Sequence, residues 1–223
     1  YGAVNAGREY NDVEISQRTF LEQYVKPFRM ALKAKPAMVM TAFNAIDRKP
    51  ISGNKELLRD LLRDKEGFDG TVISDWGSIG QLEEQGVAAD MDEAAVQAIE
   101  AGVDIDMMSP AYMFRLEELV KNGQIPESFI DESAFRVLMM KNQLGLFENP
   151  FAGLGKSGKL TLHNREKAYQ LAGESCVLLK NEKLLPLSMK KKVIWAGPYT
   201  ASREFLSRWS IFGEHEAVET IED

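Results

Sequence analysis

Three short apolar, β-prone runs recur a little over thirty residues apart, at 37–43, 71–74 and 103–108, with helix-period segments between them. Strand and helix alternating at that interval predict parallel strands joined by crossover helices, because parallel neighbours cannot be connected by a tight turn. The runs carry little polar alternation, as expected of strands covered on both faces. Ser16 is placed to cap a helix whose apolar face is Phe20, Leu21, Tyr24, Val25, Phe28, Ala31 and Leu32. Asn54 is placed to cap a second, with Leu57, Leu58, Leu61 and Leu62 inward and Gly67 at its end. Residues 91–101 read as a third helix closed by Gly102, 111–122 as a fourth ended by Gly123, and 127–144 as a fifth ended by Gly145. Residues 1–148 thus hold three β/α repeats plus terminal helices, where a (β/α)8 barrel needs eight. They form either a small open sheet or the last part of a barrel.

Beyond residue 148 the pattern changes. Gly, Ser and Lys crowd into 149–162 without apolar periodicity, which marks a linker. Residues 166–175 then read as a helix, and 176–179 and 193–196 as strands of a new α/β unit that begins at 163 and runs to 223. The Lys190–Lys192 run between those strands reads as a solvated turn. A chain of 223 residues with 44% hydrophobic content supports this much folded structure.

Charge and composition narrow the chemistry. A net charge of -7 argues against a nucleic-acid protein, which needs a basic footprint to displace counterions. No apolar run approaches the ~20 residues of a membrane span. One cysteine, Cys176, precludes an internal disulfide; it begins an apolar run and is expected to be buried and inert. Two histidines, His163 and His215, leave little for a His-based metal site, and both are expected to be structural or exposed. Gly153 to Lys159 narrowly misses a phosphate-binding loop, because Leu160 stands where Ser or Thr is required and no strand precedes it. Neither metal nor cofactor is expected.

In parallel α/β folds ligands bind beyond the carboxyl ends of the strands. That rule selects residues 40–44, 74–77 and 106–109. In the middle one a carboxylate, Asp75, follows an apolar strand and stands beside Trp76, whose apolar face suits a sugar or other ring. The alternative duty of Asp75 is to cap a following helix. Asp104 and Asp106 would face the same side of a strand, which suits a metal, a pocket wall or barrel-closing hydrogen bonds. Met107 and Met108 are expected in the core.

The segment Gly67-Phe68-Asp69-Gly70-Thr71-Val72-Ile73-Ser74-Asp75-Trp76-Gly77 resembles the nucleophile signature of glycoside hydrolase family 3, the β-glucosidase and β-xylosidase family. Further resemblances follow in order along the chain: Tyr1-Gly2 with Gly7-Arg8-Glu9-Tyr10-Asn11, Val39 to Asn44, Gly86 to Asp90, Ala101 to Met107, Leu144 to Phe147, Val177 to Asn181 and Leu184 to Leu187. The resemblance implies the C-terminal part of a (β/α)8 barrel over 1–148, the linker over 149–162, and the start of an α/β sandwich over 163–223. It implies Asp75 as nucleophile of a retaining glycosidase. It also implies Arg8, Met40, Phe43 and Trp76 around the sugar. Arg8 would bond sugar hydroxyls through its planar, permanently charged fork, or else pair at the surface with Glu9 or Asp12. Many relatives carry Tyr where Phe43 stands, so a hydroxyl near the nucleophile is lost here.

The family's Lys-His pair and a sugar-gripping Asp would precede Tyr1, and its acid/base Glu would follow Asp223 or be unrecognisable within this sequence. The chain alone is therefore expected to be inactive. The substrate would be a terminal non-reducing β-D-glucosyl unit of an oligosaccharide or glucoside. Alternatives are β-xylosidase, β-N-acetylglucosaminidase or a non-catalytic carbohydrate-binding relative. The N-acetylglucosaminidase branch uses an Asp–His pair in a loop, and residues 2–11 contain no His. Relatives of this kind in bacteria are commonly periplasmic or secreted, and a similar location is expected here.

Overall fold

A computed structural model describes residues 4–152, 154, 162–188, 190–204 and 220. Most of the expected linker, the near-miss phosphate loop and His215 lie outside the described residues, as does the side chain of His163. The chain divides into two compact units, Tyr1–Ser157 and Gly158–Asp223.

In the first unit, β1 (Asp12–Val13) leads to Ser16, whose hydroxyl accepts the Thr19 N–H at 3.2 Å and caps α1 (Gln17–Thr19). A π-helical stretch, Phe20–Tyr24, widens the helix before α2 (Val25–Leu32). Pro27 lies just beyond it; without an N–H, and with a ring that crowds the carbonyl four residues back, it favours such a local distortion. Strand β2 (Met38–Met40) precedes a hairpin of β3 (Ala45–Ile46) and β4 (Lys49–Pro50). Asp47 and Arg48, the hairpin's two turn residues, both adopt positive φ, 48° and 66°, as a two-residue hairpin turn of matching twist requires. β1 adds to β3 in parallel, giving a small three-stranded sheet that two-residue strands leave unannounced in the apolar pattern.

A 3-10 turn, Ile51–Gly53, brings the chain to Asn54, whose Oδ1 accepts the Leu57 N–H at 3.1 Å. The helix that follows, Glu56–Lys65, is π-helical, and Gly67 at φ 71° ends it as expected. β5 (Thr71–Ile73) pairs in parallel with β2, Met38 opposite Thr71 and Met40 opposite Ile73. α3 (Gln81–Glu84), α4 (Met91–Ala101), α5 (Ala111–Lys121) and α6 (Glu127–Gln143) complete the unit. Gly102 closes α4 at φ 95°, a backbone state that a Cβ would strain.

The third apolar run forms no strand. Only Ile105 bridges, in parallel, to Ile73. The reason is local: the Asp104 carboxylate takes the Val72 N–H at 2.8 Å, and the Val103 carbonyl accepts the Tyr112 hydroxyl at 2.8 Å. Backbone bonds to β5 persist at Asp104 and Ile105, but at Val103 side chains have taken the place of the ladder bond. Met108 is also not core; it is 64% exposed at φ 68°. Met107 is pinned on both sides, its N–H to Ser74 Oγ and its carbonyl to Gly77 N, both at 2.7 Å, and the chain swings outward at the next residue.

The core gathers Val72, Val103, Ile79, Leu82, Leu119 and Ile125 around α4, which buries Ala94, Ala95, Ala98, Ile99 and Ala101. Small residues there let the helix sit close to its neighbours. Gly70 marks another close approach, because a Cβ would lie 2.6 Å from the Ala37 carbonyl oxygen and 2.7 Å from the Phe68 ring. Gly70→Ala is therefore expected to destabilise the complete protein by about 1–3 kcal/mol, read as a lower urea midpoint.

In the second unit α7 (Leu162–Ser175) starts earlier than expected. Residues 176–179 and 193–196 form no strands, since among the described residues no ladder partner lies alongside either. Cys176 is correspondingly exposed rather than buried, with its thiol against the Ala172 carbonyl at 3.4 Å.

Candidate active site

β2, β5 and the Ile105 bridge lie side by side in sequence order, so residues 40–44, 74–77 and 106–109 emerge at one end of a parallel wall. Asp75 stands there, two residues beyond β5 and half-buried. Its Oδ1 accepts the Trp76 N–H at 2.7 Å. Among the described residues its Oδ2 has no partner. Asp75 does not cap α3 with its side chain; that helix has no side-chain cap. The Asp75 backbone is held on both sides: its N–H donates to Thr41 Oγ1 at 3.3 Å, and its carbonyl accepts from Ser74 Oγ and Ser78 N, each at 3.0 Å.

Trp76 is 43% exposed, and Met40, the last residue of β2, is 51% exposed. Phe43 is half-buried and stacks on Tyr10, ring centroids 4.5 Å apart. Its carbonyl accepts from Gln85 Nε2 at 2.9 Å. The structure therefore brings Asp75 to Trp76 and, through Thr41, to the end of β2, while Phe43 belongs with Tyr10. Arg8 lies apart from these contacts. It is exposed, its Nε donates to the Asn5 carbonyl at 3.3 Å, and it lines a cavity of ≈ 420 Å³ with Asn5, Asn11, Asp12 and Glu14. Among the described residues neither Glu9 nor Asp12 forms an ion pair with it. Sequence reasoning passed over Thr41, Ser52, Ser74 and Ser78, because a hydroxyl that will be buried looks like one that will be solvated.

The two aspartates of the third run have separate duties. Asp104 is buried, its Oδ2 accepting from Arg63 at 2.7 Å and its Oδ1 from Arg136 at 2.9 Å. Asp106 instead ties down the start of α5: Oδ1 accepts the Ser109 hydroxyl, and Oδ2 the first-turn Tyr112 N–H at 3.1 Å. Their oxygens are committed, and among the described residues no group of three or more His, Cys, Asp or Glu is arranged to hold a metal. Burial lowers the pKa of the Arg63 guanidinium, with the Asp104 charge opposing that shift. Burial, then the charges of Asp106 and Asp104, push the Tyr112 hydroxyl well above its usual range, so it stays a hydrogen-bond donor.

Residues 1–140 match the Glycosyl hydrolase family 3 N terminal domain. The chain belongs to glycoside hydrolase family 3. Its fold is accordingly TIM-barrel-like α/β. It is 36% identical over 223 residues to a periplasmic beta-glucosidase of Salmonella typhimurium, covering 96% of this chain and 29% of that protein. It is 39% identical over 205 residues to a putative beta-xylosidase of Formosa agariphila, covering 89% of this chain and 27% of that one. The crystal structure of a beta-glucosidase from Listeria innocua in complex with glucose superposes with a TM-score of 0.84 at 41% identity, covering 100% of this chain and 31% of that one. This family 3 chain thus spans about three tenths of the length of these relatives. Beta-glucosidases and beta-xylosidases are enzymes that hydrolyse O-glycosyl bonds.

Proposed function

We propose that this chain is the later part of the catalytic barrel of a retaining β-glucosidase, with Asp75 as its nucleophile. The observation that carries the reading is the Asp75 carboxylate at the carboxyl end of β5, one oxygen tied to Trp76 N–H and the other without a partner among the described residues. In the first step an Oδ2 lone pair forms a bond to the anomeric carbon, the glycosidic C–O bond breaks, and the leaving oxygen takes a proton from an acid group. Oδ1 becomes the ester carbonyl, still accepting from Trp76. Water then attacks the same carbon, gives its proton to the same group, and releases the Asp75 carboxylate. That second group must stand ~5–5.5 Å from Asp75 in a retaining enzyme. Family resemblance assigns it to a part of the polypeptide beyond this chain, so the chain by itself is inactive.

Trp76 offers an apolar face to the sugar ring, Met40 flanks the same pocket, Phe43 backs it through Tyr10, and Arg8 bonds sugar hydroxyls once the rest of the barrel surrounds it. Residues 1–148 form the second half of the barrel, 149–162 the linker and 163–223 the start of the α/β sandwich. The division of the chain between Ser157 and Gly158 is consistent with that layout. The substrate is a terminal non-reducing β-D-glucosyl unit, as the names of the Salmonella and Listeria relatives suggest. The Formosa relative supports β-xylosidase as the second reading. A periplasmic location follows the Salmonella relative's name, and no helix among the described residues is long and apolar enough to cross a membrane.

Proton NMR of aryl β-glucoside hydrolysis by the complete enzyme tests the mechanism. Double displacement releases β-glucose first, with the α-anomer appearing only by mutarotation. Immediate release of α-glucose would exclude Asp75 as a covalent nucleophile.

A further inference from the structure

Three buried hydroxyls from distant parts of the chain form a continuous relay behind Asp75. Thr41 Oγ1, just after β2, lies 2.8 Å from Ser52 Oγ in the 3-10 turn, and Ser52 Oγ lies 2.8 Å from Ser78 Oγ. All three residues are at most 3% exposed. One end of the relay accepts the Asp75 N–H, and the residue at the other end gives its own N–H to the Asp75 carbonyl. The relay therefore closes a loop around one peptide unit on each side of Asp75.

Each hydroxyl carries one proton and two acceptor lone pairs, so Thr41 Oγ1 takes the Asp75 N–H and still shares a hydrogen bond with Ser52, and Ser52 shares a second with Ser78. Each of the three hydroxyl oxygens has a hydrogen-bond partner within the protein. Such a closed, desolvated network is stiff, because breaking any member strands a buried polar group. Ser74 completes the seat by donating to the Asp75 carbonyl while accepting the Met107 N–H.

We propose that Thr41 and Ser52 are positioning residues for Asp75: their relay to Ser78 fixes the backbone from which the carboxylate projects. The inference rests on Asp75 being the nucleophile. Neither residue touches the sugar, and their effect falls on the bond-forming step, where a misplacement of about 1 Å costs about 100-fold.

The test follows the rate at which a 2-deoxy-2-fluoro-β-glucoside labels Asp75 in the complete enzyme, with glucose affinity and thermal midpoint measured alongside. Thr41→Val removes the hydroxyl at constant shape and should slow labelling by about 10- to 100-fold with glucose affinity within about twofold of wild type. Thr41→Ser, which restores the hydroxyl, should return labelling to within about threefold of wild type. Ser52→Ala should slow labelling by about 5- to 20-fold, and decides the matter alone should Thr41→Val fail to fold. Wild-type labelling rates in Thr41→Val or Ser52→Ala, whatever their thermal midpoints, would reduce the relay to ordinary core satisfaction. Equal slowing in Thr41→Ser and Thr41→Val would also overturn it. A label on another residue in the wild-type enzyme would instead remove the nucleophile assignment itself, and the positioning role with it.

Discussion

Asp75→Asn in the complete enzyme is expected to lower kcat on an aryl β-glucoside by about 10⁴-fold or more, the scale on which loss of a covalent nucleophile acts. The fold should survive. An Asn carbonyl oxygen can still accept the Trp76 N–H that Asp75 Oδ1 accepts at 2.7 Å, and the backbone bonds to Thr41, Ser74 and Ser78 do not involve the side chain. Circular dichroism and the unfolding midpoint should therefore match wild type. Asp75→Gly opens space in place of the carboxylate, and azide entering there attacks the anomeric carbon from the face opposite the aglycone. The C–N bond forms as the glycosidic C–O bond breaks, and the product is the α-glycosyl azide. Recovery of turnover with that stereochemistry identifies the vacated position as the nucleophile's. Near-wild-type rates in the Asn variant, with no azide product from the Gly variant, would contradict the role.

Asp104→Ala should cost about 3–5 kcal/mol of stability, because it leaves two guanidinium groups without their shared carboxylate. The Asp104 side chain is 0% exposed and bridges Arg63, 8% exposed, to Arg136, 17% exposed. It also satisfies Val72 N–H, so its removal strands a backbone donor in the β5 ladder. Glu132 is a contrast at the rim of the same network, pairing with Arg59 at 3.0 Å and Arg136 at 3.2 Å while 45% exposed. Burial alone would raise its pKa, but the bonds and charges of Arg59 and Arg136 outweigh burial and hold it below the usual carboxylate range. A lowered folded-state pKa means that this contribution is present above about pH 4.3 and is lost as pH falls through the folded value. Glu132→Gln should thus change stability little at neutral pH, screened as that group is. Urea midpoints of the two variants at pH 7 separate the cases. A loss under about 1 kcal/mol for Asp104→Ala would show that the arginines find other partners.

Helix boundaries were largely legible because their signals are local. Ser16 and Asn54 cap where their side chains predict, and Gly67, Gly102, Gly123 and Gly145 all take positive φ at helix ends. Strands were legible only where the backbone ladder runs unbroken. At 103–105 the apolar pattern is sound, yet Asp104 and Tyr112 take the hydrogen bond that would join Val72 to Val103, a contact between residues that spacing cannot foresee. The β3–β4 hairpin escaped because its turn is Asp47-Arg48, with no glycine to announce the positive φ. Cys176 and residues 177–179 read as buried strand because composition reports β-propensity, not whether a partner strand lies alongside. Asp75 itself was legible through its surrounding motif, whereas the seat that holds it was not. Thr41, Ser52 and Ser78 are separated by 11 and 26 residues in sequence and meet only in the fold.

Covalent trapping tests the central assignment most directly. The complete enzyme is inactivated with a 2-deoxy-2-fluoro-β-glucoside, digested, and the modified peptide sequenced by mass spectrometry. The account predicts a single fluoroglucosyl ester on Asp75, within the peptide carrying Thr71-Val72-Ile73-Ser74-Asp75-Trp76. A stable ester on any other carboxylate, with Asp75 unmodified, would contradict it.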